Sequence, residues 1–197
     1  MALDKPVIVD IVNVIATVNF GESTRIEQII DKIPQAEYRP KEFSGVILRL
    51  TNPKASILIF DSGKMICTGT KSSSLAKKSI HEIASKFQKN NIISLDKPPK
   101  IKIQNIVASV SYGVEINLDA CAQNLPTSMY EPEHFPAVIH KMTDPEATIL
   151  LFNSGRVICT GVKTEKALYH AVTSLRQMLS MCGCLDESLD HKVDKKW

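Results

Sequence analysis

Between residues 7 and 19 the chain is rich in β-branched side chains, and their alternation puts Val12, Val14, Ala16 and Val18 on one side and Asn13, Ile15 and Thr17 on the other. A period of two in such residues predicts a strand with one apolar face. Residues 24 to 33 change to helical spacing through Ile26, Ile29 and Ile30, with Ser23 as the expected N-cap. Three more strands are predicted over Ser44 to Leu50, Ala55 to Phe60 and Lys64 to Gly69, divided by the turn formers Asn52-Pro53 and Asp61-Ser62-Gly63. Ser72 then caps a helix running to about Lys89, with Ala76, Ile80, Ile83 and Phe87 on one face.

The whole pattern is used twice. Residues 41–71 overlay residues 133–163 without a gap, and 16 of the 31 pairs are identical, a level that shared composition does not produce. The common offset is 92: Phe43, Pro53, Leu58, Phe60, Gly63, Cys67, Thr68 and Gly69 recur as Phe135, Pro145, Leu150, Phe152, Gly155, Cys159, Thr160 and Gly161. It also carries Asn13 onto Asn105, Gly21 onto Gly113, and Ala76, Ile80, Ile83 and Phe87 onto Leu168, Val172, Leu175 and Leu179. Two copies of so long a unit predict a pseudo-twofold pair of half-domains rather than a solenoid. The expected organisation is a first repeat over 1–97, a second over 98–184 and a charged tail over 185–197, with Lys97-Pro98-Pro99-Lys100 as the connector. The order strand, helix, strand meander, helix, used twice, predicts an α+β fold whose antiparallel sheet has helices on one face only.

That arrangement leaves an apolar sheet face to explain. If the helices cover Ile57, Ile59, Met65 and Cys67, then Ile15, Leu58, Phe60 and Ile66, with Val107, Leu150, Phe152 and Ile158, point the other way. Such a face is a binding surface, or another sheet or subunit buries it. Asn13, Asn105, Thr68 and Thr160 share it, and Arg49, Lys64, Lys71, Lys141, Arg156 and Lys163 lie nearby. Cations sit badly in a dry core. An apolar strip with central amides and flanking cations suits a DNA minor groove, with its apolar sugar floor between two rows of phosphate.

Composition narrows the alternatives only a little. A net charge of +3 is weak support for a nucleic-acid partner, while 44% apolar residues in 197 supply ample core. No apolar run approaches the roughly 20 residues of a membrane helix. Asp4 and Asp10 interrupt what would have to be a secretory leader. The five cysteines read as reduced thiols, with Cys67 and Cys159 in the helix-facing core and Cys182-Gly183-Cys184 lacking the partners of a metal site. His81, His134, His140, His170 and His191 share no repeat position, so no catalytic base is expected, and no cofactor is implied. The turns at Ser62-Gly63 and Ser154-Gly155 precede strands rather than helices and do not cradle phosphate. Lys77, Lys78, Lys86 and Lys89 read as a solvated helix face.

Three doubled motifs, taken in order, resemble the core domain of the TATA-box-binding protein family. They are Gln104-Asn105-Ile106-Val107-Ala108 with its copy from Val12 to Ala16, Tyr130 to Pro136 with its copy from Tyr38 to Phe43, and Ile149 to Gly161 with its copy from Ile57 to Gly69. The resemblance covers roughly residues 7 to 182. It implies a saddle whose concave sheet binds the minor groove of TATA-box promoter DNA while its helices face other factors, in a transcription initiation factor that is not an enzyme. It implies that Phe43 with Phe60, and Phe135 with Phe152, wedge into base steps, and that Asn13, Asn105, Thr68 and Thr160 meet base acceptors. Ile15, Val107, Leu58, Leu150, Ile66 and Ile158 would press on the groove floor, where the guanine amino group fits poorly. Arg49, Lys64, Lys71, Lys141, Arg156 and Lys163 would reach phosphates.

The same resemblance implies contacts from Glu131 and Glu133 to transcription factor B, and an indirect link to RNA polymerase. It also implies a monomer on DNA and leaves a homodimer open for the free protein. Lys141 stands where the first repeat has Arg49, and Ser44 where the second has Pro136. The compact length and the Asn117-Leu118-Asp119 helix start resemble an archaeal member more than a nuclear one, which places it at the nucleoid in the cytoplasm; a eukaryotic member would be nuclear. Two other readings remain at this point: a small ligand or damaged base held on the concave sheet, and a dimer burying sheet on sheet.

Overall fold

The computed structural model describes residues 6–21, 23–94 and 98–186. Asp4, Lys97 of the connector and the tail beyond residue 186, with His191, lie outside them. The chain forms two compact units, one of residues 12–105 and one of the described residues up to 11 together with those from 106 onward. The division falls within the strands β1 (Ile8–Asn19) and β6 (Lys102–Ser111).

In the first unit β1 is followed by α1 (Ile26–Lys32), β2 (Glu37–Tyr38), β3 (Val46–Thr51), β4 (Lys54–Ile59), β5 (Lys64–Thr70) and α2 (Ser73–Lys89). The strands lie in the order β2-β3-β4-β5-β1, and all these pairings are antiparallel. The second unit repeats the scheme. After β6 come β7 (Glu115–Ile116), α3 (Leu118–Asn124), β8 (Ser128–Met129), β9 (Val138–Thr143), β10 (Glu146–Leu151), β11 (Arg156–Val162) and α4 (Glu165–Met181), with the strands ordered β6-β11-β10-β9-β8. A short β12 (Leu185–Asp186) pairs with β7, so the start of the expected tail is held by a ladder.

Alternation decides what is buried. Ile57, Ile59, Met65 and Cys67 are fully buried, as are Ile149, Val157 and Cys159, and the α2 stripe Ala76, Ile80, Ile83 and Phe87 packs among them. Its counterpart Leu168, Val172, Leu175 and Leu179 does the same on α4. The first long helix opens as the sequence predicts, the Ser72 hydroxyl accepting from the Leu75 amide, and the second opens likewise, the Thr164 hydroxyl accepting from the Ala167 amide, each at 3.1 Å. At their C-terminal ends Ile92 N–H donates to Phe87 O and Cys184 N–H to Leu179 O, both at 2.9 Å.

The first short helix departs from its predicted start. It begins at Ile26, and Arg25 holds the N-cap position without a side-chain bond. Ser23 does not cap it, because its hydroxyl donates to Asp61 O at 2.7 Å while Thr24 donates to Phe60 O at 2.9 Å. Asp61 returns a carboxylate oxygen to the Ile26 amide at 3.4 Å, so the turn after β4 anchors the helix. Ile30, expected on the apolar face, is exposed. In the second unit the corresponding α3 is capped conventionally, by Asn117 accepting from Ala120 N–H at 3.0 Å.

Candidate nucleic-acid interface

Cross-strand partners share a face, so the ladders show which side chains lie together on the uncovered side of each unit. In the first, one row runs Ile47, Leu58, Ile66, Thr17, and a second runs Arg49, Ser56, Thr68. In the second, the rows are Ile139, Leu150, Ile158, Ser109 and Lys141, Thr148, Thr160. Every apolar member of these rows is half-buried, between the sealed core positions on either side along its strand. Ile15 and Val107 are half-buried too, as are Asn13 and Asn105. Each unit thus carries an apolar sheet face that its helices leave open, with the predicted residues on it.

The phenylalanines sit in pairs at these faces. Phe43 and Phe60 meet edge to face with centroids 5.4 Å apart, and Phe135 and Phe152 do so at 6.3 Å. The tighter first pair depends on Gly45, where a Cβ would stand 2.6 Å from Ile59 O and 2.7 Å from Phe43 Cε1. The second repeat has Ala137 at that position, and Phe135 is correspondingly 39% exposed.

Asn13 is more constrained than its sequence position suggests. Its Oδ1 accepts from Gly69 N–H at 2.7 Å and from the Thr68 hydroxyl at 3.1 Å. The amide oxygen is therefore spent within the protein, and the Nδ2 group is the end of the side chain left to donate. Thr68 commits its proton to Asn13, which leaves its methyl and lone pairs.

Lys64, Lys71, Lys141, Arg156 and Lys163 are exposed and form no ion pair among the described residues. Arg49 differs: its Nε donates to Glu37 Oε1 at 2.9 Å, across the β2–β3 edge. The second repeat has Met129, 53% exposed, where the first has Glu37. Glu131, Glu133 and His134 are exposed before β9, where Glu131 O accepts from the amides of His134 and Phe135.

The sequence reading passed over Ile47, Ile139, Ser56 and Thr148, which the registers place within the same rows. Their alternation with Val46, Leu48, Ala55 and Ile57 carried the signal. Cys67 and Cys159 lie in the sealed core, and burial pushes both thiols up to about 11. Among the described residues no cluster of three or more His, Cys, Asp or Glu side chains is arranged to hold a metal ion, and no helix is long and apolar enough to cross a membrane.

Against known families, the model described as "Transcription factor TFIID (or TATA-binding protein, TBP)" matches residues 8–90 and again 100–182. The chain belongs to the TATA-binding protein family. It is 42% identical over 173 residues to the TATA-box-binding protein of Pyrobaculum aerophilum, covering 88% of this chain and 86% of that relative. To the TATA-box-binding protein of Thermococcus kodakarensis it is 40% identical over 175 residues, covering 89% and 92%. The solved structure of Methanococcus jannaschii TBP matches with a TM-score of 0.79 at 36% identity, over 88% of this chain and 98% of that one. The doubled α+β fold read from the sequence is thus that of the TATA-binding protein family, and archaeal proteins stand prominently among its relatives.

Proposed function

We propose that the protein is an archaeal transcription initiation factor that binds the minor groove of A·T-rich promoter DNA, bends it, and nucleates the assembly of a preinitiation complex. The observation that carries this reading is the doubled open face: each unit of a TATA-binding protein family member presents apolar rows and an edge-to-face phenylalanine pair. The half-buried isoleucines and leucines suit the sugar-lined groove floor, and the Asn13 Nδ2 group supplies a donor to adenine N3 or thymine O2. Phe43 with Phe60 and Phe135 with Phe152 act as the wedges, replacing part of the stacking lost when a base step opens. The unpaired lysines and Arg156 position the duplex through phosphates without reading sequence.

Thr68, Thr160 and Asn105 complete the base-contacting set in this reading, and residues 1–97 and 98–184 act as its two half-domains. Glu131 and Glu133 offer an exposed acidic pair to the basic surface of a transcription factor B, through which RNA polymerase is reached. The factor works at the nucleoid as a monomer on DNA.

The deciding experiment uses a fluorescent duplex bearing a TATA-like box, with end-to-end energy transfer reporting the bend and a G·C-substituted duplex at matched salt as control. A·T-selective binding with a large bend, abolished in Phe60→Ala with Phe152→Ala, is the expected result. Binding without preference or bend would overturn the reading in favour of a small ligand on the open face or a sheet-on-sheet dimer.

A further inference from the structure

The first unit carries a concentration of positive charge beyond its open face. A groove of about 410 Å³ is lined by Lys64, Lys100 and Lys102, together with Asn19, Gln104 and Thr17. Lys64 and Asn19 are partners at the end of the β1–β5 ladder, and Gln104 Nε2 donates to the Thr17 hydroxyl at 2.7 Å, fixing one wall. All three lysines are exposed, no carboxylate lines the groove, and none of the three forms an ion pair among the described residues. Three ammonium groups converging without a counter-charge raise the local potential and attract an anion.

Duplication did not impose this charge. At the offset of 92, Lys100 and Lys102 correspond to Ile8 and Asp10, Gln104 to Val12, and Lys64 to Arg156. Three cations in one compact unit thus stand against one cation and one acid at the corresponding positions of the other. The shape of the anion follows from the lining. The groove is open, and no helix begins at it to present a cradle of amides for a single phosphate or nucleotide. Lysines are flexible point charges that suit a row of phosphates more than one bidentate group. Lys64 also begins the strand whose Ile66 and Thr68 lie on the open face, so a polyanion lying there passes the groove.

We propose that this groove holds the phosphodiester backbone of the duplex where it leaves the contacted box beside the first unit, and that the second unit has no equivalent hold. The inference rests on the DNA-binding reading above and adds Lys100 and Lys102 to it. The test is the salt dependence of binding by the full chain to a duplex with a TATA-like box and about one helical turn of flank on each side. Each phosphate neutralised contributes about 0.9 to the slope of log Kobs against log salt. Lys100→Gln with Lys102→Gln is expected to make that slope shallower by roughly 2, leaving the A·T preference and the bend intact. Lys100→Arg with Lys102→Arg should keep the wild-type slope, and on a duplex trimmed flush with the box wild type and Gln variant should converge. An unchanged slope with the bend intact would overturn the groove alone, as would an equal loss on the trimmed duplex. A wild-type chain showing neither preference nor bend would overturn the DNA-binding reading and the groove with it.

Discussion

At Asn13 the fold holds one end of the side-chain amide, and the proposed DNA contact uses the other. The oxygen ties Gly69 and Thr68 together, and the nitrogen remains as a donor on the open face. Asn13→Asp separates the two roles, since a carboxylate still accepts from Gly69 N–H and Thr68 but cannot donate. The variant should melt within a few degrees of wild type while its affinity for a TATA-like duplex falls at least about tenfold, the cost of an unpaired groove acceptor facing a charge. Calorimetry and fluorescence binding together check it, and a parallel loss of melting temperature would mean that Asn13 matters only for the fold. The sequence showed this residue at the right place but hid its partners, because a bond between residues 13 and 68 depends on the β1–β5 register.

His140 is a residue-scale case with a pH signature. It occupies the buried position that Leu48 holds in the first repeat, with Nδ1 3.3 Å from the Ser128 hydroxyl. Burial lowers its pKa below the ordinary 6.5. The unfolded chain therefore takes up the proton first as pH falls, and the stability held by the neutral imidazole is present above about pH 6.5 and lost below it. Denaturation at pH 7.5 and 5.5 should show this drop in the wild type and a smaller one in His140→Leu. An equal drop in both would assign the acid sensitivity to other groups.

At the scale of elements, end signals were legible where the cap is local and illegible where it comes from a distant turn. Ser72 and Thr164 bond to amides three residues ahead, inside the window that sequence patterns cover. Ser23 looks the same in sequence but turns to Asp61, 38 residues away. Ser72→Ala and Thr164→Ala are each expected to cost about 1 kcal/mol in urea denaturation. For Asp61→Ala, a loss comparable to either would support the anchoring role of the turn after β4. The two-residue strands β2, β7, β8 and β12 escaped the sequence reading for another reason, since two residues display no period and only their partners define them.

At the scale of the whole chain, the repeat made the fold readable, because each ambiguous element could be read twice at one offset. What the offset conceals is divergence, and part of that divergence is in charge. Arg49 is engaged by Glu37, whereas the second repeat has Met129 in place of that acid and Lys141 forms no ion pair among the described residues. The Arg49–Glu37 pair is well exposed, at 62% and 37% of the two side chains, so it adds little to stability but competes with any phosphate for the guanidinium. Glu37→Gln should release Arg49 and steepen the salt dependence of DNA binding by roughly 1, with affinity rising at low salt and the melting temperature nearly unchanged. Met129→Glu gives the second repeat the same competitor and should act in the opposite sense through Lys141. Measured side by side on one duplex, opposite shifts would establish that the two repeats grip the backbone unequally because of these acidic neighbours. No shift in either would mean that Arg49 and Lys141 lie off the path of the phosphates.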